Sequence, residues 1–231
     1  MLRVELHVHS ALSYDGRDPV GLIVEQAAAI GLDALAITDH DEIDASLEAA
    51  ALAEDLGMIG IPGIEISSEA GHILGIGIRE RIPAGLSYDE TLHRIRDAGG
   101  VAIIPHPFQE SRHGVATNIT PDQLCDADAI EVYNSRLLTG RGNRRAREFA
   151  TAHNIPMTAG SDAHISEMVG QAVTLIDTGA DIPDPTVADI LEAIRAGRTM
   201  VDGKRTPWRI SLRQAAGGMK RRVAAQFRSM R

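Results

Sequence analysis

Short apolar segments that end in histidine or a carboxylate recur along this chain, and they limit what it can fold into more than any other feature. They read LHVHS, AITDHD, GIEIS, AIIPHPF and TAGSDAH. Most lie in runs rich in Ile, Val and Ala that are apolar on both faces, as buried parallel strands are. Candidate strands are 3–8, 33–38, 60–66, 72–78, 101–105, 128–133, 156–160 and 171–176. The stretches between them predict helices over 19–30, 44–56, 87–98, 141–153 and 186–196. Pro19 suits a first helical turn, and Gly31, Gly57 and Gly197 fall where helices should stop. Alternating β and α elements predict a parallel α/β fold, closed as a barrel or open as a sheet. A length of 231 residues favours one such domain.

In a parallel barrel the functional side chains gather at the C-terminal ends of the strands. Residues far apart in sequence then meet at one mouth. Six of the nine histidines lie at such ends: His7, His9, His40, His72, His106 and His164. Asp15, Glu65 and Asp162 accompany them. His7 and His9 are two apart, so on a strand they face the same way. Asp162 and His164 repeat that spacing. Imidazole and carboxylate are the usual ligands of Zn²⁺, Mn²⁺ and iron. Taken singly, each residue has an ordinary structural reading: a lone histidine hydrogen-bonds locally, and Asp15 in SYDG forms a turn. Taken together at five or six strand ends, they point to a metal site.

The remaining composition sets bounds. The apolar runs are short and interrupted, so no membrane-spanning stretch is expected, and the N-terminus lacks a signal-peptide core. A cytoplasmic protein is the expectation. The single Cys125 is expected to be a buried structural residue rather than a nucleophile. The net charge of −9 is unevenly spread: residues 204–231 hold nine Lys/Arg and no acid, which leaves 14 − 32 = −18 on residues 1–203. The basic segment is expected to form a broken helix packed on the acidic body or a partner, with contact to RNA or DNA phosphates, or to an anionic membrane surface, as alternatives.

In order, HVHSALSYDG, AITDHD, GIEIS, GHILG, PHPF and GSDAH resemble the PHP (polymerase and histidinol phosphatase) family from residue 5 to about residue 170. The later GQAVTLI and EAIRAGRT are also similar to it. The compact spacing is nearest to stand-alone phosphoesterases that act on nucleotides or RNA ends. Those often carry an insertion between the last two motifs, whereas here only residues 107–161 separate His106 from Asp162.

The resemblance implies a distorted (β/α)7 TIM-like barrel over residues 1–203, followed by the basic tail 204–231. It also implies two or three divalent ions, Mn²⁺, Zn²⁺ or Fe²⁺. The first ion would take His7, His9, Glu65 and Asp162. The second would share Glu65 and add His72 and His106. The third would take Asp15, His40 and His164. The implied reaction is hydrolysis of a phosphate ester by a metal-bound hydroxide, with Glu65, Asp162 and His164 as the catalytic set. The substrate would be a phosphorylated small molecule or a nucleic-acid end. Arg136, Arg17, Ser13 and His113 are the candidates for binding it, and Asp39, Asp41 and Asn134 the candidates for fixing imidazole tautomers. Two alternatives are a histidinol-phosphate phosphatase and a non-catalytic metal-binding accessory domain of a polymerase or repair assembly.

Overall fold

The computed structural model describes residues 1–137 and 139–204, so the basic segment lies outside the described residues from 205 onward. The predicted helices are present within one or two residues of the expected bounds: α1 Val20–Ala29, α2 Asp44–Asp55, α3 Tyr88–Asp97, α5 Arg141–His153 and α6 Val187–Arg195. A further short helix, α4 Pro121–Cys125, begins in a capping box in which Thr120 and Gln123 bond each other's backbone. Gly31, Gly57 and Gly197 adopt positive φ just past helix ends, as the sequence predicts.

The strands are β1 Leu2–Glu5, β2 Ala34–Leu35, β3 Ile59–Gly60, β4 Gly63–Ser67, β5 His72–Ile76, β6 Val101–Ile104, β7 Ala129–Asn134, β8 Met157–Gly160, β9 Ala172–Ile176 and β10 Thr199–Gly203. The expected strand 60–66 divides at Ile61-Pro62, and β10 carries no apolar run that would have announced it.

The expectation of an all-parallel sheet is corrected. The strands form two five-stranded mixed sheets, ordered β10-β9-β1-β2-β3 and β4-β5-β6-β7-β8. β1–β2–β3 and β6–β7–β8 are parallel, while β5, β9 and β10 run antiparallel to their neighbours. The β4–β5 connection shows why: residues 68–71 are long enough for a hairpin and far too short for a parallel crossover. No single ladder closes the ring of strands among the described residues. The sheets meet instead at two seams. At one, Thr174 Oγ1 accepts from Ala159 N at 2.9 Å and donates to Ala159 O at 3.0 Å. At the other, the segment after β2 pairs with β4, through Glu65 N to Asp39 O at 3.1 Å and Asp41 N to Glu65 O at 2.9 Å.

Three buried clusters hold these layers. Val20, Ile23, Val24 and Ala27 of α1 and Ala45, Ala49 and Ala53 of α2 pack on Leu35 and Ile37. Leu92 and Ile95 of α3 and Ala146 and Ala150 of α5 cover the second sheet. The third cluster draws Val4 and Ala34 from one sheet, Leu74 and Ile103 from the other, and Ile190 and Ile194 of α6. Cys125 is half-buried against the second sheet's cluster, not fully buried as expected. Among the described residues no helix is long and apolar enough to cross a membrane.

Candidate metal centre

The polar strand ends converge where the seams bring the two sheets together. After β1 the chain continues extended, with Val8 bridged to Ala163 and His9 N bonded to Ala163 O at 2.8 Å. This pairing sets HVH of the first sheet beside SDAH of the second. His40 is bridged in parallel to Glu65. On β4 and β5, Ser67 is the register partner of His72, which puts His72 at the same edge as Glu65. His106 and Asp162 have φ of 33° and 50°, a left-handed backbone that turns each side chain at once out of its strand direction.

Glu65, 1% exposed, lies at the middle. Its Oε2 lies 3.4 Å from His7 Nε2, 3.1 Å from His9 Nε2 and 3.4 Å from His40 Nδ1. Its Oε1 lies 2.9 Å from His72 Nδ1 and 3.6 Å from His106 Nε2. Asp162 receives Arg112 and Arg136, each Nη1 at 3.0 Å, and Asn134 Nδ2 at 3.2 Å. Asp15 Oδ2 lies 2.7 Å from His164 Nε2 and 3.7 Å from His40 Nε2.

The set is strongly polarised. Burial opposes charge on Glu65, yet the imidazoles around it, His40 and His72 foremost, hold its carboxyl well below the usual range. Burial likewise opposes charge on Asp162, and Arg136 and Arg112 override it. For His7, burial disfavours the cation, but Glu131 and Glu65 raise its pKa well above the ordinary imidazole value. His164 is lowered to about 4 by burial and by Arg136 beside it.

These residues fit divalent cations. Four trios bring ligand atoms within 4.8 Å of one another: His7, His106 and Asp162; His7, His9 and Glu65; His9, Asp15 and His164; and His40, Glu65 and His72. A purely hydrogen-bonded cluster does not explain the arrangement. His9 Nδ1, His40 Nδ1, His106 Nδ1 and Glu65 Oε1 are buried without a well-aligned hydrogen bond among the described residues, although His40 Nδ1 and Glu65 Oε1 lie within ion-pair distance of other members. Buried polar atoms are normally paired; of these, Glu65 Oε1 and His40 Nδ1 face into the centre, where a divalent cation would satisfy them.

The other candidates from sequence fall as follows. Arg136 reaches Asp162 and lies 2.7 Å from His164 Nε2. Ser13 Oγ donates to Asp15 Oδ1 at 3.0 Å. Arg17 is half-buried in the same loop. His113 is exposed, with its ring centroid 5.0 Å from that of His72. Asn134 touches the cluster, but Asp39 accepts from Ser10 N and Oγ, and Asp41 from Ser67 N. His93 is exposed, 3.2 Å from Asp97.

Three residues escaped sequence reasoning. Arg112 lies next to His113 in a loop with no apolar pattern to place it. Glu5 and Glu131 are fully buried in β1 and β7, and a single acid inside an otherwise apolar strand was the available signal. Glu5 accepts from the backbone N of His7, Ser161 and Gly170, tying β1 to the segment after β8.

Known proteins bear on this geometry. Residues 5–139 match the PHP domain family model, and residues 140–199 a PHP-associated model. The chain is 33% identical over 175 residues to the uncharacterized protein MJ0417 of Methanocaldococcus jannaschii, spanning 74% of this chain and 69% of that one. It is 44% identical over 86 residues to a phosphoribosyl 1,2-cyclic phosphate 1,2-diphosphodiesterase of Eggerthella lenta, 35% of this chain and 32% of the relative. It is similar in fold to a two-domain Bacteroides vulgatus protein described as containing a predicted PHP-like metal-dependent phosphoesterase. That likeness has a TM-score of 0.71 at 23% identity, over 87% of this chain and 64% of the other. With the PHP-domain match covering seven of the nine clustered residues, from His7 to His106, and the PHP-associated match covering Asp162 and His164, the chain belongs to the PHP family.

Proposed function

We propose that this chain is a metal-dependent phosphoesterase whose centre is the His/carboxylate cluster. The observation that carries the reading is the crowding at Glu65, where five imidazole nitrogens lie between 2.9 and 3.6 Å of two carboxylate oxygens. A cation among them accounts for that crowding. In this reading the two sheets are halves of a distorted seven-unit barrel, and the centre is its mouth.

His7, His9, Asp15, His40, Glu65, His72, His106, Asp162 and His164 would hold two or three ions, with Mn²⁺, Zn²⁺ and Fe²⁺ as the chemically suitable ones. Bound divalent ions supply Lewis acidity toward phosphoryl oxygens and a nucleophile at neutral pH. Glu65 links the two halves of the centre. Asp162 and His164 would orient the nucleophile and the phosphoryl group. Arg112 and Arg136 would bind non-bridging phosphate oxygens through charge-assisted hydrogen bonds. Ser13 and Arg17 belong to the loop around Asp15, and His113 would donate a proton to a departing oxygen. Residues 1–203 carry this chemistry, and the basic segment 204–231 adds positive charge for a nucleic-acid substrate in a cytoplasmic setting.

The substrate class we favour is a nucleotide or oligonucleotide phosphate. The Eggerthella lenta relative, named for a phosphoribosyl cyclic phosphate, supports the part of that choice that puts the phosphate on a ribose. The test is a substrate panel after reconstitution with Mn²⁺, Zn²⁺ or Fe²⁺: nucleoside bisphosphates, short 5′-phosphorylated RNA, a cyclic ribose phosphate and histidinol phosphate. Turnover of a nucleotide or RNA ester is expected. Exclusive turnover of histidinol phosphate would replace the substrate assignment, and no turnover of any member under any of the ions would overturn the enzymatic reading.

A further inference from the structure

Two of the four trios of ligand atoms share His7, and behind His7 stands a carboxylate. Glu131 on β7 is 1% exposed. Its Oε1 lies 3.0 Å from His7 Nδ1. Its Oε2 accepts from the backbone N of His106 at 3.0 Å and from Asn134 Nδ2 at 2.9 Å. The same Nδ2 donates to Asp162 Oδ2 at 3.2 Å. His7, His106 and Asp162 form one of the trios, so a single buried carboxyl group reaches every member of it, two directly and the third through Asn134.

An ionised carboxylate only accepts hydrogen bonds. With a cation held in the centre, His7 would present Nδ1–H to Glu131, 3.0 Å away, and turn Nε2 toward the ion and toward Glu65 Oε2 at 3.4 Å. The other rings are held differently. His9 Nδ1 and His106 Nδ1 lack a hydrogen-bond partner among the described residues, and His164 Nδ1 faces the backbone oxygen of Asp162 at 2.9 Å. The His7–Glu131 pair also packs against bare backbone: a Cβ on Gly160 would lie 2.5 Å from His7 Cβ and 2.6 Å from Glu131 Oε1.

We infer that Glu131 is a positioning residue that makes the ion position at His7 the tightest of the centre. It holds His7 in one tautomer and keeps His106 and Asp162 in register with it. The inference rests on the metal-centre reading above. A carboxylate behind a ligating histidine fixes the ring and raises its basicity, and losing such a partner costs about 10–100-fold in metal affinity. The trio of His9, Asp15 and His164 has no hydrogen bond to Glu131 and serves as the internal comparison.

The experiment uses the full chain, stripped with chelator and titrated with Co²⁺ by calorimetry and visible absorption. The unaltered protein is expected to show one tight class of sites and at least one weaker class. Glu131→Gln keeps the size and one acceptor oxygen but removes the charge. It is expected to weaken the tight class about 10–100-fold and change its absorption bands, leaving the weaker class unmoved. Asn134→Ser, which cuts the link to Asp162, is expected to weaken the same class to a smaller degree and is read in its place if the glutamine variant does not fold. Melting of the stripped proteins checks that both are native. A lower melting temperature with both binding classes unchanged would overturn the inference, as would uniform weakening of all classes. Absence of Co²⁺ binding by the unaltered chain would instead remove the metal-centre reading beneath it.

Discussion

His72 Nδ1 lies 2.9 Å from Glu65 Oε1, the shortest of the five imidazole contacts to that carboxylate. The contact joins neighbouring antiparallel strands through a four-residue connection, and Glu65 belongs to two of the four trios. Glu65→Gln keeps the shape and removes the charge that offsets the ions. Activity is expected to fall by more than about 100-fold, with fewer ions retained, as elemental analysis of the purified variant would register.

Arg112 and Arg136 both end on Asp162 at 3.0 Å. Each charge-assisted hydrogen bond to a phosphate oxygen is worth roughly 1.5–3 kcal/mol, so Arg112→Ala or Arg136→Ala is expected to lower kcat/KM by about 10- to 150-fold. Steady-state kinetics with the best substrate of the panel is the check. Equal activity in the Arg112 variant would remove Arg112 from the phosphate-binding residues.

Removing the ions should destabilise as well as inactivate. Buried Glu65 and Asp162 then rely on the imidazoles and guanidinium groups alone. A ligand present at about 100 times its Kd stabilises by about 2.7 kcal/mol, so chelation is expected to lower Tm by several degrees. Adding Mn²⁺ back should restore both Tm and activity. A Tm indifferent to chelator and to added ion would contradict the centre.

Glu5 makes a prediction about pH. Burial raises its pKa from 4.5 to about 7, against opposing hydrogen bonds from Ser161, Gly170 and His7. The folded protein thus holds a proton that the unfolded chain releases between those values. The contribution of Glu5 is fully present below pH 4.5 and declines as pH rises toward 7, by at most about 3 kcal/mol. Denaturant unfolding of the unaltered protein and of Glu5→Gln, compared across pH 4.5 to 7.5, should show this slope only in the former. The same slope in both would place the linkage elsewhere.

Much of the centre was legible because its signals are local. A strand end in HVH, GIEIS or SDAH pairs an apolar run with a ligand type, and both can be read without knowing what lies across the molecule. Strand direction was not legible in this way. An apolar run such as 72–78 looks the same whether it pairs parallel or antiparallel, and only the short 68–71 connection decides it. β10 was missed for the opposite reason: TMVDG alternates exposure and is a strand through its pairing with β9.

By itself the sequence determined the donor set of the candidate centre, nine imidazole and carboxyl groups of types that suit divalent cations whatever the exact closure of the sheets. It also determined the family, through motifs whose order and spacing are properties of the chain alone. Only the tertiary structure decided what stands behind those ligands: Glu131 against His7, 124 residues away, Arg112 against Asp162, and Glu5 across a seam between two mixed sheets. The physical reason is distance along the chain. A buried acid in a strand has no readable partner until folding sets a second strand beside it, and then that partner is what makes its burial tolerable.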